Sequence, residues 1–462
     1  MADELWSKTA SELAKLIRVK EVSSREVVEA HLRRIEEVNP KVNAVTVVLA
    51  ETAIDAAEQA DASEATGALH GVPFTIKENI DCVGSATTQG MPVFAEAFPA
   101  QDGPTVERMK NAGAIPLART NLPEYGLRIH TDNPLRGLTY NPWDRTRTAG
   151  GSSGGEASAI ATGMSPIGLG NDIGGSLRNP AFCCGITSIK ATTGRIPWAV
   201  TVPAVEQPIA YSLMVAEGPM ARSVADLRLG LSVLAGRHYR DPVSVSAPLE
   251  GPEPGSKKVA LVTSIEGCTL PPAYVDAIRA AGDILSASGW TVEECQPPEI
   301  GRINEIWGHL LASDIEQTRE LIAPLMSEAA NELISKLIET FPSSAMNNVT
   351  VHTERDRLRR AWSAFNQEYP LIVGPVWTDI PFVHDADVDP ETGAETTLGR
   401  LRFITPGNLL GIPAVPVPMG LNEGLPVSVQ IYADSWREDL CLDAAELIEA
   451  ASGRLCPIDP TW

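Results

Sequence analysis

The chain has 462 residues, and its 37 Lys and Arg against 59 Asp and Glu give a formal net charge of −22. With 44% hydrophobic residues it can fill a large core, which excludes a disordered chain and leaves two or three domains, or one large elaborated domain. The negative charge opposes contact with phosphates, so we expect no nucleic-acid partner and no anionic membrane surface.

The cysteines and the N-terminus indicate the compartment. The seven cysteines are scattered, with no Cys-x-x-Cys pair and no histidine at ligand spacing. This pattern predicts a reduced, cytoplasmic protein without a structural metal. The start, MADELW, is acidic where a signal peptide is basic, and no apolar run approaches the length that crosses a bilayer, so we expect neither secretion nor membrane spanning.

The first part of the chain, residues 1–65, is predicted to be helical. Two amphipathic helices are expected within 9–38, the second opened by a capping box from Ser23 to Glu26 and ended at Asn39 and Pro40. From residue 71 the pattern changes to short β-rich runs at 72–76, 115–118 and 167–170, with a helix at 104–112 between the first two. Strands that alternate with helices predict an α/β fold with a partly parallel sheet.

The region 71–240 ends with a helix that Ser223 caps and Gly236 terminates. A stretch rich in proline and glycine, 247–258, precedes a strand at 259–263, a helix at 272–288 and mostly helical sequence at 299–367, so we interpret 247–370 as an elaboration of one core. The C-terminal part, 371–462, adds strands at 371–374, 412–418 and 425–431 and a helix at 437–451. Alternate prolines in the second of these strands predict an edge or a barrel-like strand position.

Two glycine-dense loops with serines at their centres, 148–156 and 170–178, stand out. Glycines let backbone N–H groups approach an anion, although a single such loop is more often a flexible turn. Neither loop has the spacing of a nucleotide-binding motif. A nucleophile elbow centred on Ser152 or Ser153 matches by pattern, but the residues before it are polar where a hydrophobic strand is needed.

The candidate general bases are histidines and one lysine. His238, His309, His352 and His384 lie in polar stretches and are predicted to be surface residues. Lys77 ends the apolar strand of the motif GVPFTIKEN (71–79), where burial would lower its pKa into the working range, although a strand-end lysine is usually a solvated cap.

Together, GVPFTIKEN (71–79), GGSSGGE (150–156) and DIGGSLR (172–178) resemble the amidase signature family, and weaker matches extend over nearly the whole chain. The resemblance implies a single domain over 1–462 with a central twisted, mixed β-sheet flanked by helices. It also implies a cofactor-free amidohydrolase with a Ser-cisSer-Lys triad. Ser176 would be the nucleophile, Ser152 the bridging serine after a cis peptide bond, and Lys77 the base.

The resemblance further assigns an oxyanion hole to the backbone N–H groups of Ile173, Gly174, Gly175 and Ser176. It gives supporting roles to Ser153, Asp172 and Arg178, and it puts Gly126 on the substrate side. Gly126 leaves room for bulk, so we expect aryl or hydrophobic amides, with carbamates (urethanes) and esters within reach of the same chemistry. Tyr125 and Leu127, the turn at Gly90 and Met91, and part of 299–380 are further pocket candidates.

Departures from the family pattern concern Asn171, where a serine or threonine is common, Asn179 after Arg178, and Ala191 in place of a proline.

The alternative function is the glutaminase-type subunit of a tRNA-dependent amidotransferase, which works only with a partner. A non-catalytic binding module is a third class, and it would have no use for the triad. We expect a monomer or a homodimer that acts on a small-molecule amide or carbamate.

Overall fold

The computed structural model describes residues 2–462, so Met1 of the predicted domain lies outside the described residues. The strands are β1 Val45–Val48, β2 Pro73–Lys77, β3 Ile115–Thr120, β4 Ile167–Asp172, β5 Thr187–Ser188, β6 Ala216–Ala221, β7 Lys258–Leu261, β8 Thr291–Glu294, β9 Leu371–Pro375, β10 Ala414–Asn422 and β11 Leu425–Tyr432. The helices are α1 Ala10–Arg18, α2 Ser24–Val42, α3 Ala50–Asp61, α4 Pro104–Asn111, α5 Gly154–Ala161, α6 Arg178–Cys184, α7 Ile209–Met214, α8 Val224–Leu234, α9 Pro272–Ala287, α10 Ile300–Ile322, α11 Glu328–Thr340, α12 Asn348–Glu368, α13 Gly393–Leu398, α14 Thr405–Leu409 and α15 Glu438–Ser452.

The strands form two hydrogen-bonded sheets, in the orders β1-β3-β2-β4-β6-β5 and β10-β11-β9-β7-β8. In the first sheet β2 pairs parallel with β3 and β4, and in the second β7 pairs parallel with β8 and β9; the other pairs are antiparallel. The edges at β5 and β10 meet through a bridge between Lys190 and Ala414, with N–O distances of 3.0 and 2.9 Å. The predicted single α/β domain with mixed strands is therefore confirmed, and β10 holds the predicted edge position within its sheet.

The first helical region departs from the prediction at its end. The capping box of Ser23 and Glu26 opens α2 as predicted, but the helix continues past Pro40 to Val42. A proline removes one backbone donor, and here Asn43 ends the helix instead: it has a left-handed φ of 49° and donates its N–H to the Asn39 carbonyl at 2.8 Å. The predicted end at Asn39 and Pro40 was thus wrong by less than one turn.

Strands also appear where mainly helices were expected. β1 follows α2 and pairs antiparallel with β3, so the N-terminal region belongs to the first sheet. Within 247–370, β7 is the strand predicted at 259–263 and pairs with β9, whereas β8 on its other side was not predicted; α10, α11 and α12 supply the predicted helices. The short, half-buried run of β8 carries no alternating apolar pattern, and its pairing partners are distant in sequence.

β2 and β4 lie side by side in the middle of the first sheet, and both run in the same direction. Their carboxyl ends therefore reach the same edge, where Lys77 ends β2 and Asp172 ends β4. Among residues 2–462, no helix combines the length and apolar character that crossing a bilayer requires.

Candidate active site

Lys77 is completely buried and faces two oxygen atoms. Its Nζ lies 2.7 Å from Ser152 Oγ and 2.7 Å from Asn171 Oδ1. Burial lowers the pKa of Lys77 to about 7, although carboxyl groups nearby oppose the shift. An amine with this pKa is substantially uncharged near neutral pH, so Lys77 can accept a proton from a neighbouring hydroxyl.

Ser152 sits in the glycine loop before α5, and the Gly151–Ser152 peptide bond is cis. The backbone packs tightly here, since a Cβ at Gly151 would lie 2.5 Å from the carbonyl carbon of Ile129. Only glycine fits this close approach. The cis bond agrees with the expectation from the sequence.

Ser176 lies in the second glycine loop, between β4 and α6, and its side chain reaches the cavity that Ser152 also lines. Ser153 donates its N–H to the Ser176 carbonyl at 3.3 Å and so ties the two loops together. Among the described residues no hydrogen bond joins the two hydroxyls of Ser152 and Ser176. Catalytic hydrogen bonds of this kind often form only once substrate is bound.

The backbone N–H groups of the second loop divide into two sets. The amide of Gly175 donates to Asp172 Oδ1 at 2.7 Å and is therefore occupied. Those of Ile173, Gly174 and Ser176 make no hydrogen bond to any residue that the structure describes. Three of the four predicted oxyanion donors are thus available to a ligand.

Asp172 and Arg178 form a buried ion pair beneath this loop, with Nε–Oδ2 at 2.9 Å. Burial by itself would raise the pKa of Asp172, but the Arg178 guanidinium and Asn408 hold it well below its usual range. Arg178 also donates to Ile404 O at 2.6 Å and to Gln430 Oε1 at 3.0 Å. The ion pair therefore anchors the loop to the C-terminal part of the chain.

Two residues that the sequence analysis did not identify, Trp307 and Ile404, pack against the same loop. Trp307 on α10 donates Nε1–H to Ile173 O at 2.8 Å, and a Cβ at Gly174 would lie 2.6 Å from its Cζ2. Ile404 fills the space beside Gly175, where a Cβ would collide with its Cδ1. The apolar run of α10 could have marked Trp307 as buried, but nothing in the sequence names its partner.

Two cavities meet at Ser176. The first is lined by Ser152 together with polar and aromatic side chains, among them Asn79, Gln89, Tyr125, Asn171, Trp198, Gln207 and Tyr211. The second is almost wholly apolar and is lined by Leu127, Ile129, Trp307, Leu311, Ile315, Leu333, Ile334, Leu337, Leu398 and Leu401. We call these the polar cavity and the apolar cavity. Gly126, Ile173 and Ser176 line both.

Gly126 lies where the two cavities adjoin. Its φ of 68° is left-handed, and a Cβ there would lie 3.3 Å from Ser152 Oγ. The predicted substrate-side position thus lies next to Ser152. The predicted turn at Gly90 and Met91 does not line either cavity, and its neighbour Gln89 does so instead.

The histidines do not enter either cavity. His238, His352 and His384 are partly exposed, whereas His309 is only 6% exposed and packs against Phe341, so its predicted surface position was wrong. The polar sequence around His309 hid the buried face of α10. The described residues hold no group of three or more His, Cys, Asp or Glu placed to bind a metal ion.

Comparison with known proteins gives a consistent result. The Amidase family model matches residues 26–442. The chain is 41% identical to an indoleacetamide hydrolase of Bradyrhizobium diazoefficiens, over 98% of this chain and 88% of that protein. It is 32% identical to a glutamyl-tRNA(Gln) amidotransferase subunit of Rhodopirellula baltica, over 96% of both. A bacterial aryl acylamidase of the amidase signature family has a TM-score of 0.82 at 25% identity, over 96% of both chains.

Proposed function

The chain belongs to the amidase signature family and hydrolyses amide C–N bonds, and we propose that it does so through an acyl-enzyme on Ser176. The observation that carries this proposal is the buried contact of 2.7 Å between Lys77 Nζ and Ser152 Oγ, at the cavity that Ser176 lines.

In the proposed first step, neutral Lys77 takes the proton of Ser152, and Ser152 takes the proton of Ser176 as its oxygen attacks the substrate carbonyl. The negative charge that develops on the carbonyl oxygen is met by the free N–H groups of Ile173, Gly174 and Ser176. Ser152 then gives its proton to the leaving nitrogen and takes one back from Lys77, so the nitrogen departs as an amine or ammonia. Water hydrolyses the Ser176 ester through the same relay.

The two cavities suggest which part of the substrate lies where. Ser152 must protonate the leaving nitrogen, and it lines only the polar cavity. The leaving amine therefore belongs in the polar cavity, and the acyl group belongs in the apolar cavity on the other side of Ser176. A cavity lined by leucine, isoleucine and tryptophan side chains suits an aromatic or branched acyl group better than a short polar one.

We therefore propose amides with aryl or other hydrophobic acyl groups as substrates, and the similarity to an indoleacetamide hydrolase supports this class. Aryl carbamates and esters present the same carbonyl and are proposed as secondary substrates. The alternative role in an amidotransferase is less well supported, because identity to that relative is 32% against 41%. No cofactor or partner is needed for these steps.

The free thiols favour a reducing, cytoplasmic compartment. All seven cysteines are free, and five of them are buried. We propose that the enzyme acts there as a monomer or a homodimer on a small molecule.

The test compares Ser176→Ala, Ser152→Ala and Lys77→Met with the native enzyme on indole-3-acetamide. Each variant is expected to lose at least a thousandfold in kcat, because each removes a group needed for proton transfer or attack. Lys190→Met is the matched control, since Lys190 is also fully buried, with a pKa lowered to about 7 by burial, yet donates only to the Ala191 carbonyl at 2.8 Å. It is expected to remain active. Activity in folded Ser176→Ala would refute the proposal.

A substrate panel tests the class. We expect indole-3-acetamide and phenylacetamide to exceed acetamide in kcat/KM by at least tenfold, with an aryl carbamate and a p-nitrophenyl ester also turned over. Equal turnover of acetamide would contradict the role of the apolar cavity. If glutamine were the only amide in the panel to be hydrolysed, the role in an amidotransferase would be favoured.

A further inference from the structure

Lys77 has a second contact that the proposed relay does not use. Its Nζ lies 2.7 Å from Asn171 Oδ1, as close as it lies to Ser152 Oγ. Asn171 in turn forms a reciprocal pair with Asn79: its Nδ2 donates to Asn79 Oδ1 at 3.0 Å, and Asn79 Nδ2 donates back to Asn171 Oδ1 at 3.4 Å. The two carboxamides stand at the carboxyl ends of the neighbouring strands β2 and β4.

The direction of the lone pair on Lys77 follows from these contacts. An uncharged amine has two N–H bonds and one lone pair, and a carboxamide oxygen carries no hydrogen. An N–H of Lys77 must therefore point at Asn171 Oδ1, which leaves the lone pair free to face Ser152. In this arrangement the NH₂ group of Asn171 is bound to Asn79 and its oxygen is directed at the lysine.

The carboxamide also adds no charge beside the base. Three carboxyl groups already act on Lys77 electrostatically, namely Asp172, Glu156 and Glu217. Asp172 is paired with Arg178. Burial raises the pKa of Glu156 to about 7 and that of Glu217 to about 8, so both carry reduced charge near neutral pH. A fourth carboxylate, in direct contact with Nζ, would favour the charged lysine that cannot act as a base.

We propose that the Asn79–Asn171 carboxamide pair is a positioning device, which directs the lone pair of Lys77 at Ser152 without raising the charge of the site. The proposal rests on the proposed function, because it requires Lys77 to be the base. Asn171 is accordingly a positioning residue for Lys77.

The experiment measures kcat/KM against pH for Asn171→Asp, Asn171→Ala and the native enzyme, with the amide that the native enzyme turns over fastest. Asn171→Asp keeps the shape and the acceptor oxygen but adds a negative charge. Its acid limb is expected to shift to higher pH by about one unit or more, so that activity falls about fivefold or more at pH 7 and recovers above pH 8. Asn171→Ala removes the acceptor and is expected to lower kcat about tenfold at every pH, with no shift toward higher pH.

Asn348→Asp is the control, because it adds the same charge at an exposed site, where solvent screens it; its profile should match the native one. An acid limb in Asn171→Asp that coincides with that of Asn348→Asp overturns the inference, as does native kcat in Asn171→Ala. Lys77→Met, measured alongside, separates the two proposals. If it stays active, the proposed function itself fails, and if it is inactive while both Asn171 variants behave as the native enzyme, only the carboxamide inference falls.

Discussion

Gly174→Ala tests how firmly the proposed oxyanion loop, residues 173–176, is held in place. A Cβ at Gly174 would lie 2.6 Å from Trp307 Cζ2, well inside van der Waals contact. Trp307 cannot move aside easily, since it is 4% exposed and its Nε1 is bound to Ile173 O at 2.8 Å. The added methyl group must therefore displace the loop, and with it the free N–H groups of Ile173 and Gly174.

The size of the effect follows from the number of donors displaced. Loss of one oxyanion donor costs about 3–4 kcal/mol in the transition state, which is a 10²- to 10³-fold loss in kcat. We expect Gly174→Ala to lose at least a hundredfold in kcat on indole-3-acetamide, with KM changed far less. Steady-state kinetics at pH 8, where Lys77 is mostly uncharged, measures both, and thermal unfolding checks that the variant is folded.

Gly301→Ala is the matched control, because Gly301 lies in the first turn of α10 and a Cβ there meets nothing within 4 Å. It should keep full activity and gain up to about 1 kcal/mol in stability. Trp307→Phe removes the ring edge that the methyl group meets, so the double variant Gly174→Ala, Trp307→Phe should recover part of the lost kcat. A folded Gly174→Ala with kcat within twofold of native would refute the role of this loop as a rigid oxyanion site.

Three further outcomes are expected. Lys77→Met should be more stable than the native enzyme below pH 7, because burial lowers the pKa of Lys77 in the folded state. Between pH 7 and 10.5 the unfolded native chain binds one proton more than the folded one, so the difference in unfolding free energy between the two proteins should shrink by about 1.4 kcal/mol per pH unit. A difference that stays constant with pH in urea unfolding would contradict the lowered pKa. Leu311→Trp should fill part of the apolar cavity and lower kcat/KM at least tenfold for indole-3-acetamide but little for acetamide, and equal losses would place the acyl group elsewhere. Arg178→Met leaves Asp172 buried without its partner and should cost about 3–5 kcal/mol of unfolding free energy, measured by urea denaturation; a loss below 1 kcal/mol would show that Asn408 and the loop amides suffice.

The sequence predicted the strand that ends at Lys77 and the loops that carry Ser152 and Ser176, because each depends on a local pattern. An apolar run of five residues predicts a buried strand, and dense glycines predict close backbone approach. The capping box of α2 and the Ser223 cap of α8 are equally local, and the structure confirms them. The predicted end of α2 failed because the competition between Pro40 and a left-handed Asn43 is decided by the surrounding packing.

Most of the missed features depend on residues that are distant in sequence. The bond from the Gly175 amide to Asp172 is local, but the orientation of the Asp172 side chain depends on the distant Asn408. β8 lacks a strong strand pattern and is held by β7 across a helical crossover. Trp307 is likewise distant from the loop that it supports. β1 was a missed local signal, because its four residues are all β-branched.

This division explains why the reaction can be inferred from the sequence while the substrate class needs the structure. The proposed reacting groups come from β2, β4 and the loops next to them, which lie within 77–178 and are fixed by short motifs. The apolar cavity is instead built by α10, α11 and the segment around Leu398 and Leu401. α10 holds the loop of the proposed reaction centre through the bond from Trp307 to the Ile173 carbonyl, whereas no wall residue of the apolar cavity binds Lys77 or Ser152 among the described residues. The wall residues can therefore change the acyl group accepted while the geometry of Lys77 and Ser152 stays the same. Variation in substrate among related enzymes should therefore concentrate in α10 and α11, and exchange of those helices should transfer acyl preference without shifting the pH dependence set by Lys77.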